Sequence, residues 1–330
     1  MGSGARGPAI ALRIQPDSGY CVRVMQALER RPWIVIAVAV LGISIAAPLI
    51  RLSTAHPIAI AIWRLAFALI IIAAILAITG TWRQWSRLQM RHTGIALGAG
   101  TMLALHFWTW NTSLGLTTVA ASVVLVNTQP VIVAVLSALW LGEAPDRRQW
   151  AGIAIAVAGA FLLVAGDLNV AAVAGRDAIR GDLLALAGAV TAALYYLAGR
   201  RLRQMLDLWP YVGLVYSACL VTLILIALVI GAPFLIQPPR ELAIFAALAL
   251  GPMMLGHTGF NWALRWLPAY VVTLATLGEP VGATLLAAIT PGIREIPSPM
   301  TLAAGAIIVA GVALAIRPAS ATPVAEREPG

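Results

Sequence analysis

Residues 57–79 read PIAIAIWRLAFALIIIAAILAIT, twenty-three residues with a single charge, Arg64. A helix rises about 1.5 Å per residue, so a run of this length crosses the roughly 30 Å hydrocarbon core of a bilayer. Runs of similar character lie at 33–50, 94–112, 118–140, 148–165, 181–199, 209–231, 241–261, 269–290 and 298–316. Turn residues and charges separate them, as at 80–91, 142–148, 166–180, 200–210 and 238–241. Lipid offers the backbone no hydrogen-bond partner, so apolar runs of this kind must be helices. The sequence therefore predicts an all-α membrane protein with ten transmembrane helices.

Composition points the same way. Of 330 residues, 61% are hydrophobic and 11% charged, and the mean hydropathy is +0.90. A soluble domain carries about a quarter charged residues, so most of this exterior must face an apolar medium. The net charge of +9 is not a nucleic-acid signature: all 22 basic residues are Arg, spread between apolar runs rather than along one polar face. Cys21 and Cys219 are too few and too far apart for a disulfide framework or a metal site.

The arginines also give an orientation. Counting alternate sides of the ten runs, sixteen Arg fall on the side of both termini and five on the other, with Arg64 inside a helix. Positive residues stay cytoplasmic, so both termini are expected in the cytoplasm of a bacterial inner membrane. Trp33, Trp82, Trp85, Trp140, Trp150, Trp209 and Trp266 fall near run ends, where an aromatic belt belongs. Residues 1–31 hold five Arg and no apolar core, so they read as a cytoplasmic disordered tail rather than a signal peptide. Met25 would also serve as a start, which leaves open whether residues 1–24 belong to the native chain.

The chain resembles itself. Asn111 to Pro130 spans 19 positions, and so does Asn261 to Pro280; Glu143, Pro145 and Gly159 match Glu295, Pro297 and Gly311 at an offset of 152. This divides the chain into a repeat at 32–166 (helices 1–5), a linker at 167–180, a repeat at 181–317 (helices 6–10) and a cytoplasmic tail at 318–330. Five helices per unit is an odd number, so the second repeat enters from the opposite side and the pair is inverted. Inverted repeats are the usual basis of alternating access.

Residues 127–163, NTQPVIVAVLSALWLGEAPDRRQWAGIAIAVAGAFLL, and 277–316, LGEPVGATLLAAITPGIREIPSPMTLAAGAIIVAGVALAI, resemble the two halves of an EamA-type protein of the drug/metabolite transporter superfamily. The similarity covers roughly 33–316, and Arg64 in AIWRLAFALIIIAAIL resembles an Arg that the family carries in its second helix. The second repeat departs from the family's Leu-Gly-Glu ending, reading Pro291-Gly292-Ile293-Arg294-Glu295. The resemblance implies a five-plus-five helix arrangement and export or exchange of amino acids or related metabolites, with the substrate left open.

Ionisable groups near the bilayer centre are expensive unless paired or hydrated, which makes each a site candidate. Glu279 precedes Pro280, with Thr276 on its face and Gly278 and Gly282 beside it. Two readings stay open: a carboxylate that binds a substrate cation or coupling proton, or a structural Glu paired with Arg64. Gln129, also before proline, holds the equivalent place in the first repeat, close to Asn127. Pro130 and Pro280 are hinge candidates, each breaking its helix by removing a backbone donor. His106 and Trp110 share a helix face, as do His257 and Asn261 in the second repeat. Tyr195 adds a candidate wall residue, although Tyr195 and Tyr196 also suit an interface anchor. Arg64 either receives a carboxylate, pairs structurally, or snorkels to headgroups.

No His-Glu-x-x-His, no Gly-x-Ser-x-Gly, no paired acids within helices and no P-loop occur. The expectation is a secondary transporter, not an enzyme, with no cofactor and no metal, taking a small-molecule substrate and lipid as partners, and monomeric because two halves are already fused. A flippase or exporter of lipid-linked or cationic drug-like molecules is the alternative.

Overall fold

The computed structural model describes residues 32–117, 119–167, 176–290 and 299–316. The predicted cytoplasmic tails, most of the 167–180 linker and the Glu295 loop lie outside the described residues.

The described chain is helical, and no strand occurs among the described residues. Its first half comprises α1 (Pro32–Ser44), α2 (Ala46–Leu52), α3 (Pro57–Thr79), a 3-10 turn at Thr81–Arg87, α4 (Met90–Ser113), α5 (Val119–Val126), α6 (Gln129–Trp140) and α7 (Arg147–Asp167). Its second half comprises α8 (Arg176–Leu202), α9 (Leu208–Ile230), α10 (Pro239–Leu248), a π-helical stretch at Ala249–His257, α11 (Thr258–Ala263), α12 (Ala269–Ala275), α13 (Gly278–Ile289) and α14 (Pro299–Ile316).

Among the described residues, seven helical segments are long and apolar enough to cross a membrane: Pro32–Leu52, Pro57–Thr79, Ser122–Trp140, Asp177–Leu202, Leu208–Ile230, Pro239–Ala263 and Ala269–Leu286. The runs predicted at 94–112, 148–165 and 298–316 form α4, α7 and α14. Helix α4 begins earlier than the predicted 94, at Met90, although its first turn carries Arg91 and His92. Helix α8 also begins earlier than the predicted 181, at Arg176, because Asp177 in its first turn complements the helix dipole and pairs with Arg180. Hydropathy follows depth in lipid, whereas helix ends follow backbone bonding.

Large apolar side chains stand on the outside, among them Ile70, Ile78, Leu139, Leu228 and Val229, so the exterior is suited to hydrocarbon. The interior is built from small residues that let helices approach closely. A Cβ on Gly311 would stand 2.5 Å from the Ala156 nitrogen and 2.8 Å from the Gly152 carbonyl oxygen. One on Gly159 would meet the Ile308 nitrogen at 2.9 Å. These repeat-matched glycines are what allow α7 and α14 to pack along each other.

Packing respects the repeat. Two elements meet their own counterparts, α3 against α9 and α7 against α14. Others recur crosswise: α4 packs on α8, and the α10–π–α11 rod packs on α1; α4 packs on α9, and the same rod packs on α3. Each half thus completes the other rather than folding beside it.

Candidate functional site

Both proline-bearing rods are interrupted at matched places. Between α5 and α6 the break falls at Asn127–Thr128, and between α12 and α13 at Thr276–Leu277. Pro130 and Pro280 occupy the first turn beyond each break, where a missing N–H and fixed φ are tolerated. The breaks are held by tight i→i−3 bonds, Thr128 N–H to Leu125 at 3.2 Å and Leu277 N–H to Leu274 at 3.1 Å.

The two breaks touch. Gln129 Nε2 donates to Thr276 Oγ1 at 3.1 Å, and Thr276 Oγ1 lies 3.3 Å from Asn127 Oδ1. Asn127 Nδ2 donates back to the Val123 carbonyl at 2.9 Å, closing the broken turn. Around this junction lies a cavity lined by Ile43, Ala46, Arg64, His106, Trp110, Val126, Asn127, Gln129, Ala192, Tyr195, Tyr196, Pro252, His257, Thr276 and Glu279. Both halves of the chain contribute, and ten of the fifteen lining residues bring polar side-chain atoms to one space.

Several of those groups are unsatisfied. Arg64 is 1% exposed, with its guanidinium carbon 3.5 Å from the centre of the Phe107 ring. Its Nε and Nη2 have no hydrogen-bond partner, nor do Trp110 Nε1, Gln129 Oε1 and His257 Nδ1. No ion pair joins Arg64 to Glu279 among the described residues. Buried polar groups are normally bonded, so a polar lining of this kind has spare capacity for a guest.

Other members are fixed. His106 Nδ1 lies 3.0 Å from the Gly188 carbonyl of α8, and its ring stacks on Trp110 with centroids 6.0 Å apart. Asn261 Nδ2 donates to the Tyr195 hydroxyl and, at 2.8 Å, to the His257 carbonyl. Pro252 cannot donate within its helix, and the wide π turn around it delivers His257 to the cavity.

Residues 32–165 and 179–317 match the EamA-like transporter family. The chain belongs to that family. EamA-like proteins are transporters, and the apolar helices agree with a multi-pass membrane protein. A solved structure described only as "Crystal structure of protein" is similar at a TM-score of 0.69 and 20% identity, over 87% of this chain and 98% of that one. That likeness concerns the fold alone. No curated protein matches the chain.

Within this EamA-like fold, His106, Trp110, Asn127, Gln129, Tyr195, His257 and Glu279 all line one cavity, together with Arg64. Asn261 does not line it; it is wholly buried behind Tyr195 and His257 and holds both. Pro130 and Pro280 are buried beside the cavity without lining it. Two local readings are corrected. Arg64 neither snorkels nor pairs with Glu279, because it is buried on an aromatic ring. Tyr195 and Tyr196 are 0% and 3% exposed, so they are interior rather than interface anchors. Trp63 and Trp108 stay outside the cavity, Trp63 donating to the Phe234 carbonyl at 2.7 Å. The sequence put Thr276 on the face of Glu279, but nothing in it signalled that its hydroxyl joins the two halves.

Proposed function

We propose that this EamA-like protein is a secondary transporter that exports or exchanges small metabolites, amino acids foremost, across the bacterial inner membrane by alternating access. The observation that carries this reading is the shared cavity, with a buried cation and a buried carboxyl group in one chamber at the junction of two broken helices. Broken helices at the interface of two repeats are the usual location of a transporter site.

In this reading the chain has ten transmembrane helices, α1/α2 to α7 forming the first five and α8 to α14 the second five, inverted with respect to each other. The crosswise packing of the halves supports the repeat, and the excess of Arg on the side of both termini supports cytoplasmic termini. The protein acts as a monomer, since one chain supplies both halves of the cavity.

Arg64 and Glu279 offer opposite poles to a zwitterion: the guanidinium fits a carboxylate and the carboxylate an ammonium group. His106, Trp110, Tyr195 and His257 form the wall that meets the substrate side chain, with Asn127 and Gln129 as neutral hydrogen-bonding groups. Asn261 supports that wall from behind, and Pro130 and Pro280 are the hinges. Counterflow in proteoliposomes loaded with a mixed amino-acid pool tests the reading. Saturable accumulation of one labelled class supports it, and failure of every amino acid to accumulate overturns the substrate assignment.

A further inference from the structure

At one end of the molecule a single carboxylate ties the first repeat to three segments of the second. Glu143 lies in the turn between α6 and α7. Its Oε1 accepts from Arg200 Nε and lies close to Nη2, both at 2.7 Å. Arg200 Nη1 donates in turn to the carbonyls of Leu264 at 2.7 Å and Arg265 at 3.1 Å, beyond the end of α11. The second oxygen of Glu143 faces the Ala269 N–H at 3.4 Å, at the start of α12. Arg265 pairs with Asp207, which also bonds Gln84, so the far end of α3 lies at this same end of the bundle.

This knot sits on the two half-helices that reach the cavity. Helix α6 runs from Gln129 at the cavity to Trp140 near Glu143, and α12 runs from Ala269 at the knot to Ala275 beside Thr276. The two pack along each other and are pinned at the cavity by the Gln129–Thr276 bond. Exchanging the repeats maps this pair onto α13 and α5, between which no comparable packing occurs among the described residues. The half-helix pairing is therefore asymmetric among the described residues, closed at α6–α12 and not at its counterpart.

We infer that α6 and α12 form a door at the Arg200 end, and that the Glu143–Arg200 ion pair is its latch, released and remade whenever the cavity is exposed to that side. This rests on the alternating-access reading above. The side chains of the pair are 17% and 21% exposed, so water can replace each bond as it breaks and no charge is stranded in a dry interior. Neighbouring Arg203 provides the contrast. It is 2% exposed and bonded to the Asn261 and Leu206 carbonyls, which makes it an anchor that stays in place.

The test reads access to the cavity rather than transport. Ala192 lines the cavity, so Ala192→Cys is introduced in the full chain with Cys21→Ser. Cys219 is kept because it is fully buried, and the chain without Ala192→Cys reports its background. Vesicles of known orientation are labelled with a membrane-impermeant sulfonated methanethiosulfonate. Glu143→Gln is expected to speed labelling from the Arg200 side at least about fivefold, since a neutral amide holds the guanidinium more weakly than a carboxylate does, and to leave the other side little changed. The charge exchange Glu143→Arg with Arg200→Glu is expected to slow it again. An unchanged rate in Glu143→Gln, or an equal rise from both sides, overturns the latch. Should Glu143→Gln fail to fold, Arg200→Gln is read by the same criteria. Labelling needs no substrate, so a failure of counterflow leaves this test standing, and a failure here leaves the carrier reading standing.

Discussion

Gln129 and Thr276 come from different repeats, 147 positions apart, yet the Gln129 amide donates to the Thr276 hydroxyl at 3.1 Å where both of their helices break. The bond joins the halves at the wall of the cavity. It is also the cavity end of the α6–α12 pair, so it couples the geometry of the site to the packing of the half-helices.

Thr276→Val removes the hydroxyl while keeping the shape. The Gln129 amide is then buried without an acceptor, and its Oε1 already has no partner. Leaving a buried donor unsatisfied costs about 1–3 kcal/mol. The expected outcome is a loss of that size in denaturant unfolding in detergent. The double variant Gln129→Leu with Thr276→Val is expected to recover most of it, because no orphaned donor remains. Additive losses in the two single variants would show that the bond contributes nothing of its own.

The repeat made much of this legible. Paired Asn-to-Pro spacings pointed to both broken helices, and each polar residue in an apolar run was flagged by its cost in lipid. What stayed hidden has physical causes. A threonine hydroxyl is tolerated almost anywhere in a helix, so Thr276 carried no signal of its partner. Arg64 was visible, but the Phe107 ring beneath it was one apolar residue among many. Helix α4 was legible as an apolar run, yet its start at Met90 was not, because Arg91 and His92 lower hydropathy without ending a helix. The Glu143–Arg200 pair joins an interhelical turn to the last turn of α8, and loop chemistry alone gives no hint of which helix end a turn meets.

Close approach of α7 and α14 predicts a contrast between two glycines. At Gly311 an added methyl group meets backbone atoms, which cannot move cheaply, whereas at Gly98 in α4 nothing lies within 4 Å. Gly311→Ala is expected to destabilise the protein by about 1–3 kcal/mol through overpacking. Gly98→Ala is expected to stabilise it by about 0.5–1 kcal/mol through reduced backbone freedom in the unfolded chain. Thermal unfolding of both variants in the same detergent checks the sign of each.

Glu279→Gln keeps the size of the side chain and removes its charge. If the carboxylate holds the ammonium end of a substrate, one charge-assisted contact is lost. That corresponds to about 1.4 kcal/mol or more, roughly a tenfold fall in counterflow of a zwitterionic amino acid. The same variant should elute as the parent does in size exclusion, since Glu279 anchors no ion pair among the described residues. Full transport by Glu279→Gln would remove the charge from the mechanism.

Arg64 gives the sharpest separation of function from stability. Its guanidinium is held at 1% exposure on the Phe107 ring, with Nε and Nη2 unpartnered among the described residues. A buried cation without a hydrogen-bonded counter-ion is a standing penalty, and replacing buried charges by apolar groups of similar volume is often stabilising by about 1–4 kcal/mol. Arg64→Met fills much of the same space and keeps a favourable contact with the ring. The expected result is a higher melting temperature in the absence of substrate, combined with loss of the stabilisation that a carboxylate-bearing substrate gives to the parent protein. A structural role predicts the reverse: Arg64→Met would melt earlier, and its remaining folded fraction would still respond to substrate. Scanning fluorimetry of parent and variant, each with and without the amino acid that accumulates in counterflow, decides between the two.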